Sequence, residues 1–182
     1  MQATMLLFTL KCFYLMLPAY LANMAPVLVK KLNFLAFPID FGRKIGGMGV
    51  FGKNKTFRGI FFGVAFAIAI AYLQYLMHNN PFFSSISFID YNNWLLFGFL
   101  MGLGALTGDL AKSFFKRRFG VRPGDKFVPF DQTDFVIGAL IFIIPVFRLT
   151  FGIFFASLFL SFTLHIIVNH IAFCLKIRDE KW

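Results

Sequence analysis

From Phe135 to Leu175 the chain runs for 41 residues with one charged side chain, Arg148. As helix this stretch would be about 61 Å long, two crossings of a hydrocarbon core about 30 Å thick. Pro145, Arg148 and Gly152 mark the turn between them. Three earlier apolar runs repeat the pattern: Ala3 to Val29, Ile60 to Met77, and Trp94 to about Ala111. A chain of 182 residues that is 59% apolar and 14% charged, with 29 phenylalanines, cannot hide that surface in one soluble core. A disordered chain, a disulfide scaffold and most soluble enzymes are thereby excluded. The pattern predicts a single all-α integral membrane domain over 1–182. It has five transmembrane helices, at about 3–29, 60–77, 94–111, 135–147 and 152–175.

The first run has no basic n-region, carries Lys11 and is too long for a signal h-region, so it is expected to be retained. Cys12 and Cys174 lie in apolar runs near opposite ends and predict no structural disulfide. Trp94 and Trp182 read as interface anchors.

Orientation follows from the basic residues. Lys30, Lys31, Arg43, Lys44, Lys53, Lys55 and Arg58 lie between the first two spans. Lys112, Lys116, Arg117, Arg118, Arg122 and Lys126 follow the third, and Lys176, Arg178 and Lys181 end the chain. Sixteen of eighteen cations thus fall on one side, which predicts a cytoplasmic C-terminus, an outside N-terminus and two long cytoplasmic loops, 30–59 and 112–134. The net charge of +10 is therefore topological rather than a sign of nucleic-acid binding.

Topology does not explain the acids in those loops. If helix continues beyond the third span, Asp109, Lys112, Ser113 and Lys116 share one face at i, i+3, i+4 and i+7. Asp131 and Asp134 stand three apart at the start of the fourth span. One such residue is ordinary helix capping; two together with Asp109 make a hard-oxygen set suited to Mg2+. That ion bridges to phosphates, which the neighbouring Lys112, Lys116, Arg117 and Arg118 would contact.

The loop from Asp40 to Gly59 mixes glycines with cations, a composition that lets backbone amides approach an anion. Gly47 to Asn54 nearly fits a P-loop, but Asn54 replaces the metal-binding hydroxyl and no βα unit surrounds it. With Asp109 counted, the two loops hold thirteen cations and five acids. A nucleoside triphosphate with a phosphomonoester, at roughly six negative charges, would suit that surplus.

The chain resembles the CDP-archaeol synthase family, the archaeal-type branch of the phosphatidate cytidylyltransferase superfamily. The resemblance rests on Pro18 to Pro26 with Asn23, Pro38-Ile-Asp40-Phe-Gly42, Gly52-Lys-Asn-Lys55-Thr56-Phe-Arg58-Gly59, Gly108-Asp109 through Arg118, Pro123-Gly124, and Asp131-Gln132-Thr133-Asp134-Phe135. Ser113, Lys116 and Arg117 fit the broader signature, whereas Asp125 and Gln132 depart from it. The resemblance implies a multi-pass enzyme of the cell membrane. It would transfer CMP from CTP to a lipid phosphate, an unsaturated archaetidic acid (2,3-bis-O-geranylgeranylglycerol 1-phosphate), and release pyrophosphate.

In that reading Asp109, Asp131 and Asp134 hold Mg2+, with Lys112 and Lys116 beside them. Ser113, Arg117, Arg118, Lys55, Thr56, Arg58, Asp40 and Asn23 face the substrates. The partners are CTP and a membrane lipid phosphate, not nucleic acid, with a homo-oligomer left open. Ser113 lacks a base spaced to activate it and reads as support rather than nucleophile. The competing reading is a transporter or channel using intramembrane Asp109 and His165, though no duplicated repeat accompanies it. A CDP-alcohol phosphotransferase would need Ala-Arg after its Asp-Gly step, which Gly108-Asp109-Leu110 does not supply.

Overall fold

The computed structural model describes residues 2–52, 54–122, 125 and 127–174. Lys53, Pro123, Gly124, Lys126, Lys176, Arg178, Lys181 and Trp182 lie outside the described residues. The elements are α1 (Gln2–Leu28), β1 (Lys44–Ile45), β2 (Met48–Gly49), α2 (Phe57–Met77), α3 (Pro81–Ser85), α4 (Trp94–Arg118), α5 (Phe130–Ile143) and α6 (Phe151–Cys174).

Among the described residues four helices are long and apolar enough to cross a membrane: Thr4–Leu28 of α1, then α2, α4 and Phe151–Ile171 of α6. The fourth expected span is shorter than its apolar run. α5 has 14 residues, about 21 Å of helix, because Pro145 brings no N–H to continue the ladder. It also begins five residues earlier than expected, at Phe130, while α4 runs on to Arg118. The second loop is therefore 119–129 rather than 112–134. Both helices extend past the apolar runs because their polar faces meet each other.

Helix register follows from where small residues let backbones approach. A side chain at Gly59 would meet Pro26, and one at Gly63 would meet Ala22, so α2 runs antiparallel to α1. Gly98 faces Ala71 and Gly102 faces Ala67, which sets α4 antiparallel to α2. Gly104 and Gly108 of α4 abut Gly138 and the Asp134 carbonyl of α5. Tyr20 of α1 shares a 2.7 Å hydrogen bond with Ser161 of α6, and Phe8 lies nearest Gly152, so α6 runs parallel to α1. The C-terminal ends of α1, α4 and α6 and the start of α2 thus gather at one end of the bundle, together with the described basic residues after α1, before α2 and after α4.

Side chains away from the basic end have partners within the bundle. Gln74 Nε2 donates to the Tyr14 carbonyl at 2.6 Å, Lys11 lies over the Phe88 ring, and Trp94 packs on Tyr72 and Tyr75 at the opposite end. Cys12 and Cys174 are both free.

Candidate active site

The glycine-rich loop is folded, not open. Gly46 and Gly47, at φ 60° and 80°, form the two-residue turn of the β1–β2 hairpin, a conformation that L side chains resist. Asp40 is the hub behind it. Its carboxylate accepts from the Gly42 amide at 3.0 Å, Phe51 at 3.1 Å and Gly52 at 3.4 Å. Burial opposes its charge, but these three amides outweigh burial and hold the carboxyl below the usual aspartate range. Removing those acceptors by Asp40→Ala should cost roughly 2–4 kcal/mol of loop stability. The expected sign is faster limited proteolysis within 41–52. Since the folded carboxyl titrates below the unfolded one, this anchoring is complete at neutral pH and is lost only as the pH falls below about 4.

The same loop is clamped to α4. Arg118 donates to the Ile45 carbonyl at 3.0 Å and the Gly49 carbonyl at 3.2 Å, and lies over Phe114. Between loop and helix end is a cavity of about 400 Å³ lined by Asp40, Gly42, Lys44, Asn54, Arg117 and Arg122 among others. Two guanidinium nitrogens of Arg117, Nε and Nη1, are buried without a hydrogen-bond partner, although burial of such donors is costly unless something pairs with them.

Next to this cavity lies the acidic cluster. Because α4 is continuous, Asp109, Lys112, Ser113 and Lys116 do share a face, and α5 packs against it. Lys112 Nζ stands 3.2 Å from Asp109 Oδ1, 3.1 Å from Asp131 Oδ1 and 2.9 Å from Asp134 Oδ2. Lys116 Nζ donates to both oxygens of Asp131, at 3.2 and 3.0 Å. From the first loop Lys55 pairs with the other oxygen of Asp109. Three acids and three lysines, from stretches as far apart as residues 55 and 134, thus form one neutral network. Charges this buried persist only when paired in this way. Ser113 is buried on the same face.

Thr56 caps α2, accepting from the Gly59 amide at 3.3 Å. Arg58 donates to the Leu32 carbonyl. Arg118 holds the hairpin and is not at the acids. Asp125 accepts from the Arg122 amide at 3.2 Å. Among the described residues Asn23 makes no hydrogen bond to the network; it lies half-buried on α1. His165 and Asn169 sit on α6, Asn169 buried. Sequence reading passed over Lys44, Asn54 and Arg122 as cavity residues. It also missed the hairpin, although Gly46-Gly47 between Ile45 and Met48 is a two-residue turn signal.

The described residues thus form a helical membrane protein with a paired acid–lysine cluster and a glycine-hairpin cavity at one end. A CarS-like family model described as CDP-archaeol synthase matches residues 4–182. The chain belongs to the CDP-archaeol synthase family, and so to the CTP-dependent cytidylyltransferases. It is 39% identical to the CDP-archaeol synthase of Thermococcus onnurineus, covering 93% of this chain and 95% of the relative. To that of Archaeoglobus fulgidus it is 35% identical, covering 95% and 97%. A solved structure described as an intramembrane enzyme for archaeal membrane lipids biosynthesis superimposes with a TM-score of 0.71 at 31% identity, covering 86% of this chain and 90% of that one.

Proposed function

We propose that the chain converts an unsaturated archaetidic acid, with CTP, to the CDP-activated lipid and pyrophosphate, at an active site formed by Lys55, Asp109, Lys112, Lys116, Asp131 and Asp134. The observation that carries this reading is the convergence of three acids and three lysines beside a cavity rich in cations. In the reaction an oxygen of the lipid phosphate attacks the α-phosphorus of CTP in line, the bond to the β-phosphate oxygen breaks, and pyrophosphate leaves. No covalent enzyme intermediate is needed.

Arg117, Lys44 and Arg122 are placed to receive the triphosphate, and the unpartnered nitrogens of Arg117 suit a phosphate oxygen. Lys55 and Lys116 keep Asp109 and Asp131 aimed at the reacting phosphates. The donor set fits a magnesium ion: three hard carboxylates already surround one cationic head, although among the described residues no three acids are near enough to share an ion as they stand. Mg2+ held by Asp109, Asp131 and Asp134 would supply charge neutralisation and alignment of the phosphates.

The chain acts as one domain over 1–182, a multi-pass protein of the cell membrane. α5 serves as a short fifth crossing, with the N-terminus outside, the C-terminus in the cytoplasm and the site at the inner leaflet. The bias of cations to one end of the bundle supports that orientation.

The deciding assay is pyrophosphate release by the purified protein given CTP and ether or ester lipid phosphates. Release is expected with CTP and greatest with the unsaturated ether lipid. Equal rates on ester lipid would remove the substrate assignment, and solute flux through vesicles without pyrophosphate release would favour the transporter reading.

A further inference from the structure

Lys112 differs from the two lysines beside it. Lys55 and Lys116 make directed hydrogen bonds to Asp109 and Asp131. Lys112 instead stands within 3.2 Å of all three acids. Its nearest contact is the buried Asp134 Oδ2, at 2.9 Å. That is the placement of a single cation shared by three carboxylates.

We propose that Lys112 is a resident counter-cation, holding Asp109, Asp131 and Asp134 together while no ion is bound and leaving them for the substrate phosphates when a divalent ion takes its place. The inference rests on the reading of these acids as ion ligands. Three carboxylates this close repel one another without a central cation. The flexible four-carbon stem lets the ammonium be re-aimed without moving α4. The exchange would keep the site assembled between turnovers, and it would make ion binding weak until nucleotide arrives to receive the displaced ammonium.

The test is equilibrium dialysis of Mn2+ against full-length protein in detergent micelles, with and without CTP on both sides. Wild-type protein should bind Mn2+ weakly alone and about tenfold or more tightly with CTP. Lys112→Met and Lys112→Gln should bind Mn2+ alone about tenfold or more tightly than wild type, because the competing charge is gone. Their thermal unfolding midpoints should fall without ion and recover on adding Mn2+. Lys116→Met, which loses contact with Asp131 alone, should not show that gain. If wild type with CTP binds no Mn2+, the ion-ligand reading fails and this inference with it. If wild type with CTP does bind, and folded Lys112→Met and Lys112→Gln bind Mn2+ alone no more tightly than wild type, the Lys112 assignment alone is overturned.

Discussion

Asp109→Asn is expected to lower CTP-dependent pyrophosphate release by about a thousandfold, while the protein still inserts and stays folded. Asp109 is bound by Lys55 from the first loop and Lys112 on its own helix. The substitution removes the charge that both lysines address while nearly preserving volume. Packing in the bundle below the site is untouched, since Gly104, Ala105 and Leu106 keep their neighbours. Loss of activity in a variant that still unfolds cooperatively, at a midpoint lowered by no more than the lost ion pairs explain, would therefore report chemistry rather than folding. Full turnover by the variant would show that Asp109 is a structural ion-pair partner and nothing more.

The second large effect comes from a residue with no functional group. Gly138 of α5 sits so close to α4 that a Cβ there would collide with the Gly104 carbonyl oxygen and press on Gly108. The side chain of Gly138→Leu can be housed only by separating the two helices, and those helices carry Asp109 and Lys112 on one side and Asp131 and Asp134 on the other. A displacement near 1 Å at reacting groups costs about a hundredfold in rate, and the overpacking itself about 1–3 kcal/mol. Gly152→Ala is the control. At the start of α6 its added methyl would meet only Phe8 and Thr150, both at 3.9 Å, so its activity should match wild type. Paired measurements of pyrophosphate release and thermal unfolding on the two variants check this. A Gly138→Leu protein as active as wild type would mean that the α4–α5 spacing does not set the site.

Much of this was legible in sequence because helix periodicity and membrane thickness are strong constraints. The shared face of Asp109, Lys112, Ser113 and Lys116 needed only that helix continue past Ala111, and it does. The break at Pro145 fell where an interrupted helix must break. What sequence could not supply was partner choice. Arg118 lies among phosphate-type cations in sequence, yet its planar fork matches two hairpin carbonyls. Thr56 and Asp40 fit anion-binding patterns, and both are spent on backbone amides, because short polar side chains next to a helix start or a glycine turn find those donors first. Lys112 at the centre of the acids was the hardest to foresee. Its spacing from Asp109 announces an ordinary i,i+3 pair, and only the close packing at Gly108 and Gly138 brings Asp131 and Asp134 onto the same ammonium.

Retention of radiolabelled CTP by the micelle-embedded protein in the presence of Mn2+ tests most directly the proposed single nucleotide-and-ion site, built from acids more than twenty residues apart. Asp109→Asn, altered on α4, and Asp131→Asn, altered on α5, should each by itself reduce that retention about tenfold or more. Wild-type retention by either variant would contradict a site shared between the two helices.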